Sequence, residues 1–298
     1  MKATVQQILH NSEITLCVKR EDLLHPFISG NKLRKLKYNL LCAKEDDHHC
    51  LLTFGGAFSN HIAAVAYSGK ESGLKTIGII RGEELAVTNV NPTLKFAEEC
   101  GMKLKFVSRD DYRRKDSPEF LAGLIKEFGF FYLLPEGGTN VLAVKGCEEI
   151  LTDEDSVFDY ICCAVGTGGT ISGIINSSLP GQQVLGFPAL KGDFLKEEIL
   201  KFTQKDNWKL VSGYDFGGYG KTDENLIRFI NEFYKKYHVP LDPIYTGKML
   251  FGVMDLINQG YFHKGAKVLA IHTGGIQGVK GMNLKLKNKN TPLIEIDD

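Results

Sequence analysis

No run of this 298-residue chain is apolar for long enough to cross a bilayer; the longest, Val157 to Val165, is strand-sized and interrupted by Asp159. Nor is there a surplus of charge. Thirty-six basic and 36 acidic side chains cancel, which leaves no basic stripe for nucleic acid and no charge block for a solvating tail. The amino terminus lacks the charged-then-apolar pattern of a secretion signal. The seven cysteines, at 17, 42, 50, 100, 147, 162 and 163, never form Cys-x-x-Cys, and an odd, scattered set suits reduced thiols. His48, His49 and Cys50 lie together without a second ligand pair, so they read as a solvated loop and not as a metal site. Internal repeats and low-complexity tracts are absent too. These exclusions leave a cytoplasmic globular protein, with neither nucleic acid nor membrane as partner and enough apolar material for one large or two modest domains.

What is present is alternation. Apolar runs at Leu51–Phe54, Thr76–Ile80, Lys105–Val107, Phe131–Leu134, Val157–Val165, Val184–Phe187 and Lys267–Ile271 read as strands. Between several of them lie helical patterns at His61–Ser72, Pro92–Cys100, Pro118–Phe128 and Val141–Leu151. Strand, glycine-rich turn and helix in repetition predict parallel α/β sheets covered on both faces. Such sheets bind ligands beyond the carboxyl ends of their strands.

Three turns there carry chemistry. Gly55-Gly56-Ala57-Phe58-Ser59-Asn60-His61 opens a helix, where Ser59 and Asn60 either cap it or offer a hydroxyl and an amide to a ligand. Gly166-Thr167-Gly168-Gly169-Thr170 places successive backbone N–H groups at a helix start, the arrangement of a phosphate cradle. The last strand runs into His272-Thr273-Gly274-Gly275. A dinucleotide would want a carboxylate at the end of the next strand, which instead reads Gly186-Phe187-Pro188, and the Gly-Lys-Ser/Thr of a nucleotide loop is absent. A small phosphorylated cofactor fits better.

Its other end is supplied by Ser29-Gly30-Asn31-Lys32-Leu33-Arg34-Lys35-Leu36. Leu33, Leu36 and Leu40 repeat at helical spacing as a buried stripe, and Lys32 lies at its edge; Lys35 and Lys37 read as solvated charges. A lysine shielded from water loses charge preference and becomes a nucleophilic amine, suited to an imine with an aldehyde cofactor.

With these motifs in this order, the chain resembles pyridoxal-phosphate enzymes of the tryptophan-synthase-β-like fold (fold type II). Within them it resembles the aminocyclopropane-carboxylate deaminase and D-cysteine desulfhydrase family. Pro135-Glu136-Gly137-Gly138-Thr139-Asn140, Gly218-Tyr219-Gly220 and Asp242-Pro243-Ile244-Tyr245-Thr246-Gly247-Lys248 extend the match. The resemblance implies two three-layer α/β/α domains, a large one of residues 1–45 plus 141–298 and a small inserted one of 46–140, in a homodimer. It implies pyridoxal 5'-phosphate on Lys32, which also shuttles the Cα proton. Asn60 would meet the phenolic oxygen, Gly166, Thr167, Gly168, Gly169 and Thr170 the phosphate, and Thr273 the pyridine nitrogen. Ser59, Tyr219 and Tyr245 would face a small amino-acid substrate.

Two residues depart from the family pattern. Thr246 stands where the deaminases carry glutamate, which favours D-cysteine β-elimination to pyruvate, ammonia and sulfide over opening of 1-aminocyclopropane-1-carboxylate. Phe58 replaces a polar residue, often glutamine. Deamination of the cyclopropane acid, or a cofactor-holding protein whose catalysis has decayed, are the alternative readings.

Overall fold

The computed structural model describes residues 1–87, 91–192 and 194–296. In chain order its regular elements are β1 (Val5–His10), β2 (Ile14–Lys19), α1 (Asn31–Glu45), β3 (Cys50–Gly55), α2 (Asn60–Ser72), β4 (Lys75–Arg81) and α3 (Pro92–Glu99). Then follow β5 (Met102–Val107), α4 (Arg109–Arg113), α5 (Pro118–Phe128), β6 (Tyr132–Leu134), α6 (Val141–Glu148), β7 (Tyr160–Val165) and α7 (Gly169–Ser177). The last third holds β8 (Gln183–Pro188), α8 (Phe194–Leu200), β9 (Trp208–Leu210), α9 (Glu224–Tyr237), α10 (Thr246–Asn258), β10 (Ala266–Ile271) and α11 (Gly278–Lys287).

Two sheets result. One has six strands in the order β1-β2-β10-β7-β8-β9, parallel except for β1, which pairs antiparallel with β2. The other has four parallel strands in the order β5-β4-β3-β6. Alternation along each buried strand sends neighbouring side chains to opposite faces. In the larger sheet Leu16, Val18, Cys162, Ala164, Val268 and Ala270 meet α9, α10 and α11 on one side. Cys17, Ile161, Cys163, Val165, Leu269 and Ile271 meet α7 and α8 on the other. The smaller sheet is likewise packed on both faces, Leu51 and Ile80 toward α2 and α3, Leu52, Phe54, Ile77 and Ile79 toward α5. Both are three-layer sandwiches.

The sequence reading missed β1, β2, β9 and the helices of the last third, and overextended β7. Residues Asp153–Val157 form a 3-10 turn, because the Asp155 carboxylate accepts the N–H and hydroxyl of Thr152 and pairs with buried Lys19. Helix starts follow capping chemistry: Ser59, Asn91, Ser117, Asn140 and Asp223 each accept a backbone N–H of their own first turn.

Candidate functional site

The carboxyl ends of both sheets face one cleft of about 790 Å³, large enough for a cofactor with a small substrate. Loops leaving β3, β7 and β10 form its walls. It gathers Lys32, Ser59, Asn60, Gly166, Thr167, Gly168, Thr170, Tyr219, Tyr245 and Thr273; Gly169, singled out with them, stands behind the wall against Thr139.

Lys32 enters from the first turn of α1. That helix starts directly on the last strand's exit loop: the N–H of Asn31 donates to the Thr273 carbonyl at 3.2 Å. Gly30 makes the approach possible, since it holds φ at +61° and a Cβ there would sit 2.0 Å from that carbonyl oxygen. The Lys32 amine donates to Asn31 Oδ1 at 3.0 Å, and the Asn31 amide donates to Thr170 Oγ1 at 2.8 Å, so one asparagine couples the lysine to the glycine loop. Burial, with the charge of Lys35 adding to it, pulls the Lys32 amine down to about 7.

Lys35 corrects the sequence reading. It is not solvated: only 3% exposed, its Nζ donates to the Gly137 carbonyl and Thr139 Oγ1, both at 2.9 Å, and to Thr167 Oγ1 at 3.4 Å. The buried residues of α1 are Arg34, Lys35, Leu36, Asn39 and Ala43, and Leu33 and Leu40 are only partly buried. A long polar side chain on an apolar face gave no pattern signal. Its partners lie more than a hundred residues along the chain. Lys37 is exposed and pairs with Glu149, as expected of a surface charge.

At the start of α2, Ser59 caps the helix by accepting Ile62 N–H at 3.3 Å while its side chain also lines the cleft. The capping and ligand-facing readings therefore coexist. Asn60 Oδ1 is buried without a hydrogen-bond partner. His61, fully buried, meets Thr53 Oγ1 through Nε2 at 2.9 Å; burial and the two nearby lysines hold its ring well below the usual range, and thus neutral.

Tyr219 and Tyr245 approach edge to face, ring centroids 6.3 Å apart. Burial raises both phenols, that of Tyr245 well above its ordinary range, so both remain protonated at neutral pH. Two residues that sequence reasoning assigned no role hold them. Asp242 Oδ1 accepts the N–H groups of Ile244 and Tyr245 at 2.9 and 2.8 Å. Lys248, 1% exposed, donates to the carbonyls of Asp215 and Gly218, both at 2.8 Å, fastening the loop that carries Tyr219. Thr246 is fully buried and its hydroxyl donates to Asp242 Oδ2 at 2.6 Å, so the residue at the departure from the deaminase pattern is committed to structure. Phe58, at the other departure, packs on Gly281 and lies beneath the Lys285 amine at 4.9 Å.

These residues fit pyridoxal phosphate. A nucleophilic amine faces the cleft, an orphaned buried amide oxygen marks a polar atom awaiting a ligand, and the loop after β7 keeps its surface free of side chains where a Cβ on Gly166 would press the Tyr245 ring at 3.1 Å. Gly168 takes φ +85° at the N-cap of α7, so the loop meets the cleft at a helix N-terminus, which favours an anion.

Comparison with known proteins agrees. A Pyrococcus horikoshii protein provisionally named 1-aminocyclopropane-1-carboxylate deaminase is 30% identical over 281 residues, 88% of this chain and 84% of that one. The bifunctional D-cysteine desulfhydrase/1-aminocyclopropane-1-carboxylate deaminase of Arabidopsis thaliana mitochondria is 28% identical over 297 residues, 89% of this chain and 73% of the relative. Among solved structures, a crystal structure described as an ACC deaminase homologue superposes with a TM-score of 0.82 at 27% identity, over 97% of this chain and 94% of the other. The match to the family described as pyridoxal-phosphate dependent enzyme runs over residues 4–274, and with lysine, glycine loop and orphaned amide all in one cleft, the chain belongs to that family.

Proposed function

We propose that the chain is a lyase that removes the Cα proton of a small amino acid and expels its β-substituent, with D-cysteine the favoured substrate and pyruvate, ammonia and sulfide the products. Bound pyridoxal phosphate would supply the aldehyde that takes the amine and the ring that accepts the electron pair left at Cα. The observation that carries the reading is the place of the Lys32 amine in the cleft, coupled through Asn31 to Thr170 of the glycine loop, where burial pulls it down to about 7. An amine near its midpoint at neutral pH serves as both nucleophile and base, the match that general base catalysis needs.

The remaining roles follow from the chain's own groups. Lys32 would hold the cofactor's aldehyde, and its amine is the base placed to take the Cα proton. The Ser59 hydroxyl receives the substrate carboxylate at the N-terminal end of α2, where the helix dipole favours an anion. Asn60 would hold the phenolic oxygen and the loop from Gly166 to Thr170 the phosphate, with Lys35 supporting that loop through Thr167. Thr273 would hold the pyridine nitrogen with a neutral hydroxyl, which would make the ring a moderate electron sink. Tyr219 and Tyr245, both kept protonated by burial, donate hydrogen bonds to the departing thiolate and do not serve as bases.

The reading includes a cytoplasmic homodimer in which residues 46–140 form a small unit that closes on a larger one of 1–45 plus 141–298. Light scattering tests the dimer. Relatives' names support the second reading, cyclopropane ring opening; against it stands the commitment of Thr246 to Asp242. Sulfide release from D-cysteine and oxobutyrate release from the cyclopropane acid decide between them, with Lys32→Ala as the inactive control. Oxobutyrate alone would reverse the preference. A cofactor spectrum unmoved by amino acids of either hand would end both readings.

A further inference from the structure

We propose that the cleft accepts, besides D-cysteine, amino acids whose β-substituent ends in an anionic group, and that Arg81 is the residue that recognises that group. This deepens the lyase reading and rests on it for the chemistry at Cα and Cβ.

Arg81 is the last residue of β4, at the carboxyl edge of the smaller sheet, one position beyond the register pair Gly55 and Ile80. Its guanidinium faces the cleft. Nη2 lies 3.6 Å from where a Cβ on Gly56 would stand, in the loop that carries Ser59. Tyr112 lies beneath, its ring centroid 5.7 Å from Cζ, and Arg81's charge reaches the Tyr219 phenol, where it opposes the rise caused by burial. Among the described residues no carboxylate pairs with Arg81. Each acidic side chain of the cleft wall pairs with another cation, Glu84 with Arg109 at 2.7 Å and Glu136 with Lys115 at 3.4 Å, although the Glu136 charge also reaches Tyr112 and Tyr219.

An exposed guanidinium over an aromatic ring, at a cleft wall and without a carboxylate within ion-pair distance, is suited to recognise a planar or tetrahedral anion. The cofactor phosphate does not supply that anion, because its cradle sits on the other sheet, backed by Lys35. The α-carboxylate does not either, since Ser59 and the start of α2 serve it. A second charge on the substrate is what remains. Lys221 and Lys289 line the same cleft, also without a carboxylate partner among the described residues, and Lys285 rests on Phe58. In a chain of zero net charge, this local excess draws anions in. The reaction balances as an elimination. Lys32 takes the Cα proton, the Cβ–X bond breaks with both electrons leaving on X, and X departs as the doubly charged or protonated anion. Water then hydrolyses the enamine to pyruvate and ammonia.

The test is calorimetric binding to the cofactor-loaded protein of two probes that cannot lose a Cα proton, racemic α-methylaspartate and α-aminoisobutyrate. The first is expected to bind at least tenfold more tightly. R81Q is expected to bring the two within twofold, R81K to retain part of the difference, and added salt to shrink it in the native protein. Equal binding in the native protein, or a preference that survives R81Q in protein with an unchanged cofactor spectrum, overturns the proposal. Preferential binding with no β-elimination from D-cysteine or from a serine ester of a dicarboxylic acid sinks the lyase reading and leaves the anion site standing.

Discussion

The hydroxyl of Thr246 donates to Oδ2 of Asp242 at 2.6 Å, and the same carboxylate oxygen accepts the Thr246 N–H at 2.9 Å. With Ile244 and Tyr245 on its other oxygen, Asp242 is fully satisfied although only 1% exposed. Thr246→Val removes one of these donors while keeping shape, and a stability loss of about 1–3 kcal/mol in urea unfolding is expected. Thr246→Glu puts a second carboxylate against the first in a buried site. It is expected to lower the melting temperature further and to confer no cyclopropane-opening activity, read as oxobutyrate.

The lowered amines give the cofactor-free protein a definite pH dependence. Lys32 falls to about 7 and Lys248 to about 8, both chiefly through burial. Between those values and the ordinary 10.5 the unfolded chain binds more protons than the folded one, so folding stability rises as pH rises through this window. Thermal melts across it are expected to show the climb, with a shallower slope in Lys32→Met. The rate of condensation with pyridoxal phosphate, followed by visible absorbance, is expected to inflect near the Lys32 value; an inflection in the ordinary lysine range would count against a buried amine.

Lys35→Met tests the support beneath the glycine loop. The change keeps length and apolar stem but leaves the Gly137 carbonyl and the paired hydroxyls of Thr139 and Thr167, 2.5 Å apart, without their cation. Hydrogen bonds to a charged group contribute about 1.5–3 kcal/mol, so cofactor affinity is expected to fall about tenfold or more, measured by absorbance titration.

Lys248→Met frees the carbonyls of Asp215 and Gly218. Faster cleavage by a protease within 213–221 is expected, together with a raised KM at a nearly unchanged cofactor spectrum, because the loop carries Tyr219 but none of the residues assigned to the cofactor.

The parallel sheets and the three loaded turns were legible because buried strands and glycine loops are local patterns. Lys32, Ser59, Asn60 and the two tyrosines were found by motif and do share one cleft. Lys35, Asp242, Lys248 and Arg81 were not assigned roles, for a common reason. Each acts through burial or through partners brought near only by folding, and a charged residue in a sequence defaults to solvent. The strands β1 and β2 escaped for the opposite reason: Gln6, Gln7, Thr15 and Lys19 break the apolar run although Lys19 is 1% exposed against Asp155. The helices of the last third went unread, although Asp223 before α9 is a good cap.

Gly30→Ala examines the tightest contact of the site. With φ +61° and a Cβ position 2.0 Å from the Thr273 carbonyl, the substitution forces the start of α1 away from the last strand. A loss above about 3 kcal/mol is expected, accompanied by failure to develop the yellow colour of a bound aldehyde.

That contact also orders events during synthesis. The helix bearing the reactive amine is made before the last strand, yet its first turn is seated on a carbonyl 242 positions later, as the difference between 273 and 31 shows. A ribosome-bound chain halted before the final strand therefore owns its nucleophile without the platform that aims it. Capture of the vitamin becomes a reporter that the last strand and its exit loop are in place, and chains cut before residue 266 are expected to stay colourless however much of it surrounds them.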